Sequence, residues 1–242
     1  MQKKIEGIIV STVDYKESSK IINILTKDGI IGVVARGSKS IKNHLRTTTT
    51  VLSYGIFYLN YRSKGLPIVT EVDIIDYFKE IRKDFLKMNY SLFLIELVSQ
   101  VFKHENDSSL YKLLISCLKK INDGYEPGII TNIMEVKLLD NLGIMPNLEC
   151  CSICKSKNDI ITISSHKGGY LCINCVGDEY RYDLKTLKLI KMFCYVDINN
   201  ISKIDISDKI KNELNMFIDD YYERYSGLYL KSKMVIEKMF KI

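Results

Sequence analysis

Four cysteines constrain this chain more tightly than any other feature. Cys151 and Cys154 form a Cys-x-x-Cys, seventeen residues follow, and Cys172 and Cys175 form a second. Two thiolates three positions apart on a tight turn can face one metal ion. Two such knuckles supply the tetrahedral sulfur shell that structural zinc prefers. Between them, residues 160–163 are a short β-branched run, and Gly168-Gly169 allows a turn before Tyr170-Leu171. The spacing therefore predicts a small zinc ribbon built on a hairpin, with one zinc per chain. The alternatives are four ordinary buried thiols or two disulfides, and a chain without a secretory signal is poor ground for disulfides. Cys150 could replace Cys151 with one more residue in the turn; the expected ligands are Cys151, Cys154, Cys172 and Cys175. His166 lies inside the ribbon, but nothing in the spacing requires it as a ligand. A shell filled by four sulfurs leaves no open position for water or substrate, so the metal is expected to hold structure and perform no chemistry.

At 242 residues the chain has room for two modest domains, and its 46% hydrophobic and 26% charged residues are those of a folded protein. The 35 basic and 29 acidic residues give a net charge of +6, but their distribution says more. Residues 29–70 contain no Asp or Glu, yet they carry Arg36, Lys39, Lys42, Arg46, Arg62 and Lys64. An acid-free basic tract inside a folded domain suits a polyanion, whereas a merely solvated face mixes both signs. The N-terminal residues do not lead into an apolar segment, and no run approaches the ~18 apolar residues of a membrane span. A cytoplasmic, nucleoid-associated protein with reduced thiols is expected.

Residues 1–80 read as strands. Residues 5–13, 21–26 and 30–35 are β-branched and mostly apolar, and Asp28-Gly29 between the last two signals a hairpin. Residues 47–61 form a longer strand pattern, 62–65 a polar turn and 66–75 a further strand. Five short strands suit a closed barrel of the OB type, because an open sheet of this size leaves edges exposed and little core. After residues 76–79 the period changes. Phe85, Met88, Leu92, Ile95 and Phe102 mark a helical stripe, and Ser108-Ser109 can cap a second helix. Residues 122–128 read as a break containing Pro127. Ile130, Ile133, Met134, Leu138 and Leu142 mark a third helix that Gly143 and Pro146 end. Beyond the ribbon, at about 146–180, two more helices and a basic amphipathic tail complete a helical domain over residues 81–242. The expected class is α+β, with an N-terminal five-stranded OB-fold barrel and a helical domain interrupted by the ribbon.

Little points to catalysis. No phosphate-cradling Gly-rich motif occurs. The three histidines, His44, His104 and His166, pair with no Ser or Cys in a nucleophile setting. Asp73 and Asp76 lie where a strand ends, and a carboxylate-metal nuclease wants several convergent acids. Binding is what remains. Along the strand through residues 54–62, Tyr54, Ile56, Tyr58, Asn60 and Arg62 share one face, and Phe57, Leu59 and Tyr61 share the other. The first face is expected to be the wetter. Tyr58 either offers a ring for base stacking, worth ~1–3 kcal/mol, or packs in the barrel core. The expected DNA-binding set is Arg36, Lys39, Lys42, Arg46, Arg62, Lys64 and Tyr58. Lys16 and Lys20 are further members, although Asp14 and Glu17 lie beside them.

The assembled pieces resemble the bacterial DNA repair and recombination family RecO over essentially the whole chain. The resemblance is carried by the opening GIIVSTVDYKESSKIINILTKDGIIGVVARGSKS, the barrel exit EVDIIDYFKEIRKDFLKMNYSLFLIEL, and the ribbon's LECCSICKS and GGYLCINC. The closing LYLKSKM belongs with them. Residues 14–21 and Lys231-Ser232-Lys233 are its more diagnostic parts. The resemblance implies an OB barrel, a helical domain and an inserted zinc ribbon. It further implies a protein that binds single- and double-stranded DNA and anneals complementary strands. With RecR, and in some settings RecF, such a protein helps load recombinase onto DNA coated by single-strand DNA-binding protein, whose acidic C-terminal tail it recognises. Lys87, Lys103, Lys112, Lys119 and Lys120, on the polar sides of apolar helices, are expected around that tail. Two other readings compete. A zinc-ribbon adaptor or regulator that reads duplex sequence needs a recognition helix rich in Arg, Asn and Gln, and none is visible. A zinc-dependent nucleic-acid enzyme is opposed by the all-cysteine shell.

Overall fold

The computed structural model describes residues 1–102 and 107–240. Lys103 and His104 therefore lie outside the described residues. Five strands open the chain: β1 (Gln2–Tyr15), β2 (Ser19–Thr26), β3 (Gly29–Ala35), β4 (Tyr54–Asn60) and β5 (Ile68–Asp76). They pair in the order β1-β2-β3-β5-β4, and β4 returns to β1, so the sheet closes on itself. β1 makes closure possible by serving two neighbours. Gln2 to Ile8 pair with β4, and Ile8 to Tyr15 pair with β2, with a register shift between Ile9 and Ser11. Such an irregularity bends a strand and lets one ladder hand over to the next. Gly7 sits at the crossing, where a Cβ would fall 2.4 Å from the Ile24 methyl and 2.7 Å from the Leu25 carbonyl. Any larger residue would hold the strands apart.

The ring encloses Ile9, Ile22, Ile24, Val33, Phe57, Leu59, Val69 and Val72. Leu45 joins them from a four-residue helix, α1 (Leu45–Thr48), which plugs the ring between β3 and β4. The expectation of one strand through residues 47–61 is corrected here. Its Thr-rich start suits a strand by composition, but burying Leu45 offers more than extending the ladder. The Asn43 side chain accepts from the Leu45 N–H at 2.8 Å and starts the turn.

Seven α-helices follow among the described residues: α2 (Lys79–Lys83), α3 (Phe85–Val101), α4 (Ser108–Asn122), α5 (Pro127–Asn141), α6 (Leu184–Tyr195), α7 (Asp208–Tyr225) and α8 (Lys231–Phe240). α3 and α5 are buried on most of their surface and form the centre of this half. Pro127 and Gly128 belong to α5 and not to a break. Proline needs no partner at the first helical position, and the Glu126 carboxylate accepts from the Ile129 N–H. No helix among the described residues is long and apolar enough to cross a membrane.

Sheet and helices share one core. Ile8, Leu25, Leu52 and Tyr54 face outward from the ring and pack in the same cluster as Phe78, Leu94 and Val98. At this seam Glu6 accepts hydrogen bonds from Tyr54 at 2.7 Å and Tyr111 at 3.2 Å. The Arg82 guanidinium donates to the Val51 carbonyl at 2.8 Å. The outer face of β4 is thus split: its Tyr54 end is covered by helices and its Asn60 end is exposed. The last helix is tied from both sides. Glu96 of α3 accepts from the N–H groups of Lys231 and Ser232, and Lys233 reaches Glu135 at 3.1 Å and Asp219 at 2.6 Å.

Candidate metal centre and nucleic-acid interface

Between α5 and α6 the chain forms a hairpin of β6 (Ile160–Ser164) and β7 (Gly169–Cys172). Gly169 has φ +146°, and a Cβ there would lie 2.3 Å from the Asn147 carbonyl oxygen. The hairpin is anchored to the helices by Tyr170, whose hydroxyl donates to the Leu187 carbonyl at 3.0 Å, and by Tyr225, which donates to the Ser165 carbonyl. The start of β6 and the end of β7 lie side by side, Ile160 opposite Cys172, and a knuckle adjoins each. In the first, the Cys151 N–H donates to the Ser156 carbonyl and the Lys155 N–H to the Cys151 carbonyl, with Lys155 in the left-handed region. In the second, the Cys175 N–H donates to the Cys172 carbonyl at 3.0 Å.

These turns bring the sulfurs of Cys151, Cys154, Cys172 and Cys175 within 4.8 Å of one another, with Cys154 and Cys172 3.6 Å apart. Zinc–sulfur bonds of about 2.3 Å in a tetrahedron place sulfurs about 3.8 Å apart, so the quartet is on the scale of a metal shell. Cys150 stands outside it, its sulfur accepting from the Asn147 side chain at 3.3 Å. The first knuckle therefore contributes Cys151 to the quartet and not Cys150. The exposed His166 is not among the four. Electrostatics within the quartet are uneven. Burial works to raise the Cys151 thiol, but hydrogen bonds from the backbone N–H groups of Cys154, Cys172 and Ile153 outweigh it and hold it down at about 6. Cys175 is pushed up to about 12, first by its hydrogen bond with the Cys154 thiol and then by loss of solvent. Four thiols this close resist ionising together, and a divalent cation bound at their centre would take the place of the shared protons.

The basic residues fall into two places. The segment after β3 is held on the β1–β2 turn: the Gly37 N–H donates to the Ser19 hydroxyl at 3.3 Å and the Lys39 N–H to the Ser18 carbonyl at 2.9 Å. This docking gathers Lys16, Lys20, Arg36, Lys39 and Lys42 at one tip of the sheet, with Arg46 following on α1. Lys39 is already engaged, 2.8 Å from Asp14, which the ammonium holds below the usual carboxylate range. Arg62 and Lys64 project from the exposed loop between β4 and β5. Tyr58 is on the outer face, half-buried, beneath the Lys4 ammonium and with its hydroxyl donating to Asp73 at 2.8 Å. That bond raises the phenol.

A family model described as Recombination protein O N terminal matches residues 1–78, and one described as Recombination protein O C terminal matches residues 82–234. The chain belongs to the RecO family. DNA repair protein RecO of Bacillus velezensis is 35% identical over 244 aligned positions, covering 99% of this chain and 95% of that protein. The proteins of the same description from Bacillus subtilis and Listeria monocytogenes are 34% identical over the same shares. Within this RecO chain the two matches meet where the closed sheet gives way to α2. Of the lysines expected around a partner's tail, Lys112 and Lys119 are exposed and Lys87 is half-buried, whereas Lys120 lies over the Tyr125 ring at 4.6 Å. Charge patterning found the basic tip but not the aromatic beside it: Tyr15, just before Lys16, is exposed there.

Proposed function

We propose that this RecO-family chain is a non-enzymatic recombination mediator in DNA repair, acting in the cytoplasm at the nucleoid. In this reading residues 1–80 are an OB-type nucleic-acid-binding barrel. Residues 81–242 are a helical domain that carries a structural zinc ribbon at about 146–180. The chain binds single- and double-stranded DNA and anneals complementary strands. With RecR, and in some settings RecF, it helps load recombinase onto coated single strands. The observation that carries the reading is the acid-free basic segment docked at the sheet's tip in a chain matched along its length by RecO family models. Cations placed there neutralise phosphates without reading sequence, and neutralising two strands at once lowers the repulsion that opposes their pairing. The DNA-contacting set is Lys16, Lys20, Arg36, Lys39, Lys42, Arg46, Arg62, Lys64 and Tyr58. A sulfur-only metal shell supports the non-catalytic assignment, because it leaves no ligand position for a reacting water.

The acidic, hydrophobic-tipped tail of single-strand DNA-binding protein also has a candidate seat. A recess of about 440 Å³ between the ribbon and α6 is lined by Ile160, Leu184, Leu187, Met192 and Tyr195, with Lys188 and Lys191 at its rim. Lys191 holds Glu149 at 2.9 Å, leaving Lys188 to meet an incoming carboxylate. The deciding experiment mixes the full chain with complementary strands, naked and coated, without nucleotide. Accelerated annealing of both supports the mediator; no acceleration of either refutes it. A labelled tail peptide that binds a Lys188→Glu, Met192→Glu variant as tightly as the parent places the tail elsewhere.

A further inference from the structure

We propose that Tyr15 is a stacking platform for an unpaired base of single-stranded nucleic acid; the proposal rests on the DNA-binding reading above and deepens it. The pairing of β1 with β2 puts Ser11, Val13 and Tyr15 on one outward face, opposite Asn23, Ile21 and Ser19. The inner start of that face is polar, with Asn23 donating to the Ser11 hydroxyl at 2.8 Å. Its outer end is not: Val13 is 59% exposed and Tyr15 39% exposed. Among the described residues Tyr15 belongs to no hydrophobic core cluster. The Tyr15 hydroxyl has no hydrogen-bond partner among the described residues, and the ring's neighbour is a cation, the Lys16 ammonium 5.5 Å from its centroid. Lys16 has φ +55°, which turns the chain sharply after Tyr15 and leaves the ring at the tip.

The surroundings identify the occupant. The Gly37 N–H docks on the Ser19 hydroxyl, on the residue paired with Tyr15, so the basic segment begins beside this face. Five cations gather there against two carboxylates, Asp14 and Glu17, and Lys39 engages Asp14. An apolar protein surface has no need of so many cations, whereas a nucleic-acid strand offers phosphates for them and a π-face for the ring. Tyr58 lacks this setting, since its hydroxyl is committed to Asp73 and Glu71 lies near it. Bases in a duplex are stacked on each other and cannot reach the ring, so the contact favours single strands. It is also tolerant of sequence, as annealing of arbitrary complements requires.

The chain contains no tryptophan, so Tyr15→Trp installs a single reporter at the proposed subsite, and Tyr229→Trp, just before α8 in the helical half, installs a control. Oligo-dT should quench the indole emission of the Tyr15→Trp variant and leave that of the Tyr229→Trp variant unchanged, with binding followed independently by anisotropy of the labelled strand. Tyr15→Ala should weaken single-strand binding about tenfold, or about 1.4 kcal/mol, while duplex affinity changes less than twofold. Tyr15→Phe should retain single-strand affinity, because the ring and not the hydroxyl makes the contact. If DNA binds and the Tyr15→Trp emission does not change, or Tyr15→Ala binds single strands like the parent, the stacking proposal is overturned and the DNA-binding reading stands. If the parent binds neither single strands nor duplex, both fall.

Discussion

Replacing Lys233 with Met isolates the charge that fastens the last helix. Glu135 on α5 is 4% exposed and Lys233 18% exposed, and they meet at 3.1 Å, with Asp219 of α7 2.6 Å from the same ammonium. Met keeps an unbranched side chain and removes the ammonium, which also lies 5.6 Å from the centroids of the Phe93 and Tyr222 rings. Taking one partner from a buried pair costs about 3–5 kcal/mol, because the other charge stays buried alone. Asp219 is 43% exposed and can rehydrate, so the expected loss is at the lower end, about 3 kcal/mol. For a chain of this size that corresponds to a fall in Tm of about 6–12 °C. The loss should depend on pH. Burial raises the Glu135 carboxyl to about 7, against the opposing pull of Lys233. A carboxyl whose folded pKa is raised contributes stability in full below its unfolded value and loses it as pH rises through the folded value. Removing Lys233 moves the folded value further up, so the deficit should be widest near pH 8 and shrink toward pH 5, where the buried carboxyl is neutral. Urea titrations of parent and variant at the two pH values measure this directly. A Glu135→Met, Lys233→Met double variant should recover most of the stability, since neither charge is then buried alone. A deficit below about 1 kcal/mol at pH 8, or equal deficits at both pH values, would falsify the assignment of a buried charge pair.

Three other outcomes are expected. Metal analysis of the purified protein should find one zinc per chain, retained in Cys150→Ser and lost in Cys151→Ser; the reverse pattern puts the wrong thiol in the shell. Replacing Arg36, Lys39, Lys42 and Arg46 with Ala should weaken binding to unrelated DNA sequences alike and flatten its salt dependence, with Lys39 contributing least because Asp14 holds it. Unaltered slopes would remove the basic tip from the interface. Gly169→Ala should loosen the ribbon, since the new methyl meets both the nitrogen and the oxygen of Asn147; hydrogen exchange over residues 146–180 as slow as in the parent would contradict that.

Much of this architecture is legible in the sequence because it rests on local rules. The knuckles follow from spacing, the β2–β3 hairpin from Asp28-Gly29, and the end of α5 from Gly143 and Pro146. What was not legible depends on partners distant in sequence. The Thr-rich residues 47–50 look extended until Leu45 is seen to plug the ring. The alternation along β4 gives two faces, but only the helices decide that Tyr54 is covered and Asn60 is not. Lys39 reads as a free cation although Asp14, 25 residues earlier, holds it. Lys233 sits in a basic tail by composition, and its partner Glu135 lies 98 residues away. The choice between Cys150 and Cys151 turns on where each sulfur points, which spacing alone does not specify.

The shared core of sheet and helices has a consequence for how the chain is made. The ribosome completes all five strands before α3 emerges, so the face bearing Ile8, Leu25, Leu52 and Tyr54 is finished while the residues that cover it, Leu94 and Val98 among them, are still to come. During that interval the newborn sheet presents an apolar flank to solvent, a surface prone to association with other chains. A fragment ending near residue 80 would keep that flank bare permanently, so the sheet and the helices that cover it are best handled as one inseparable unit.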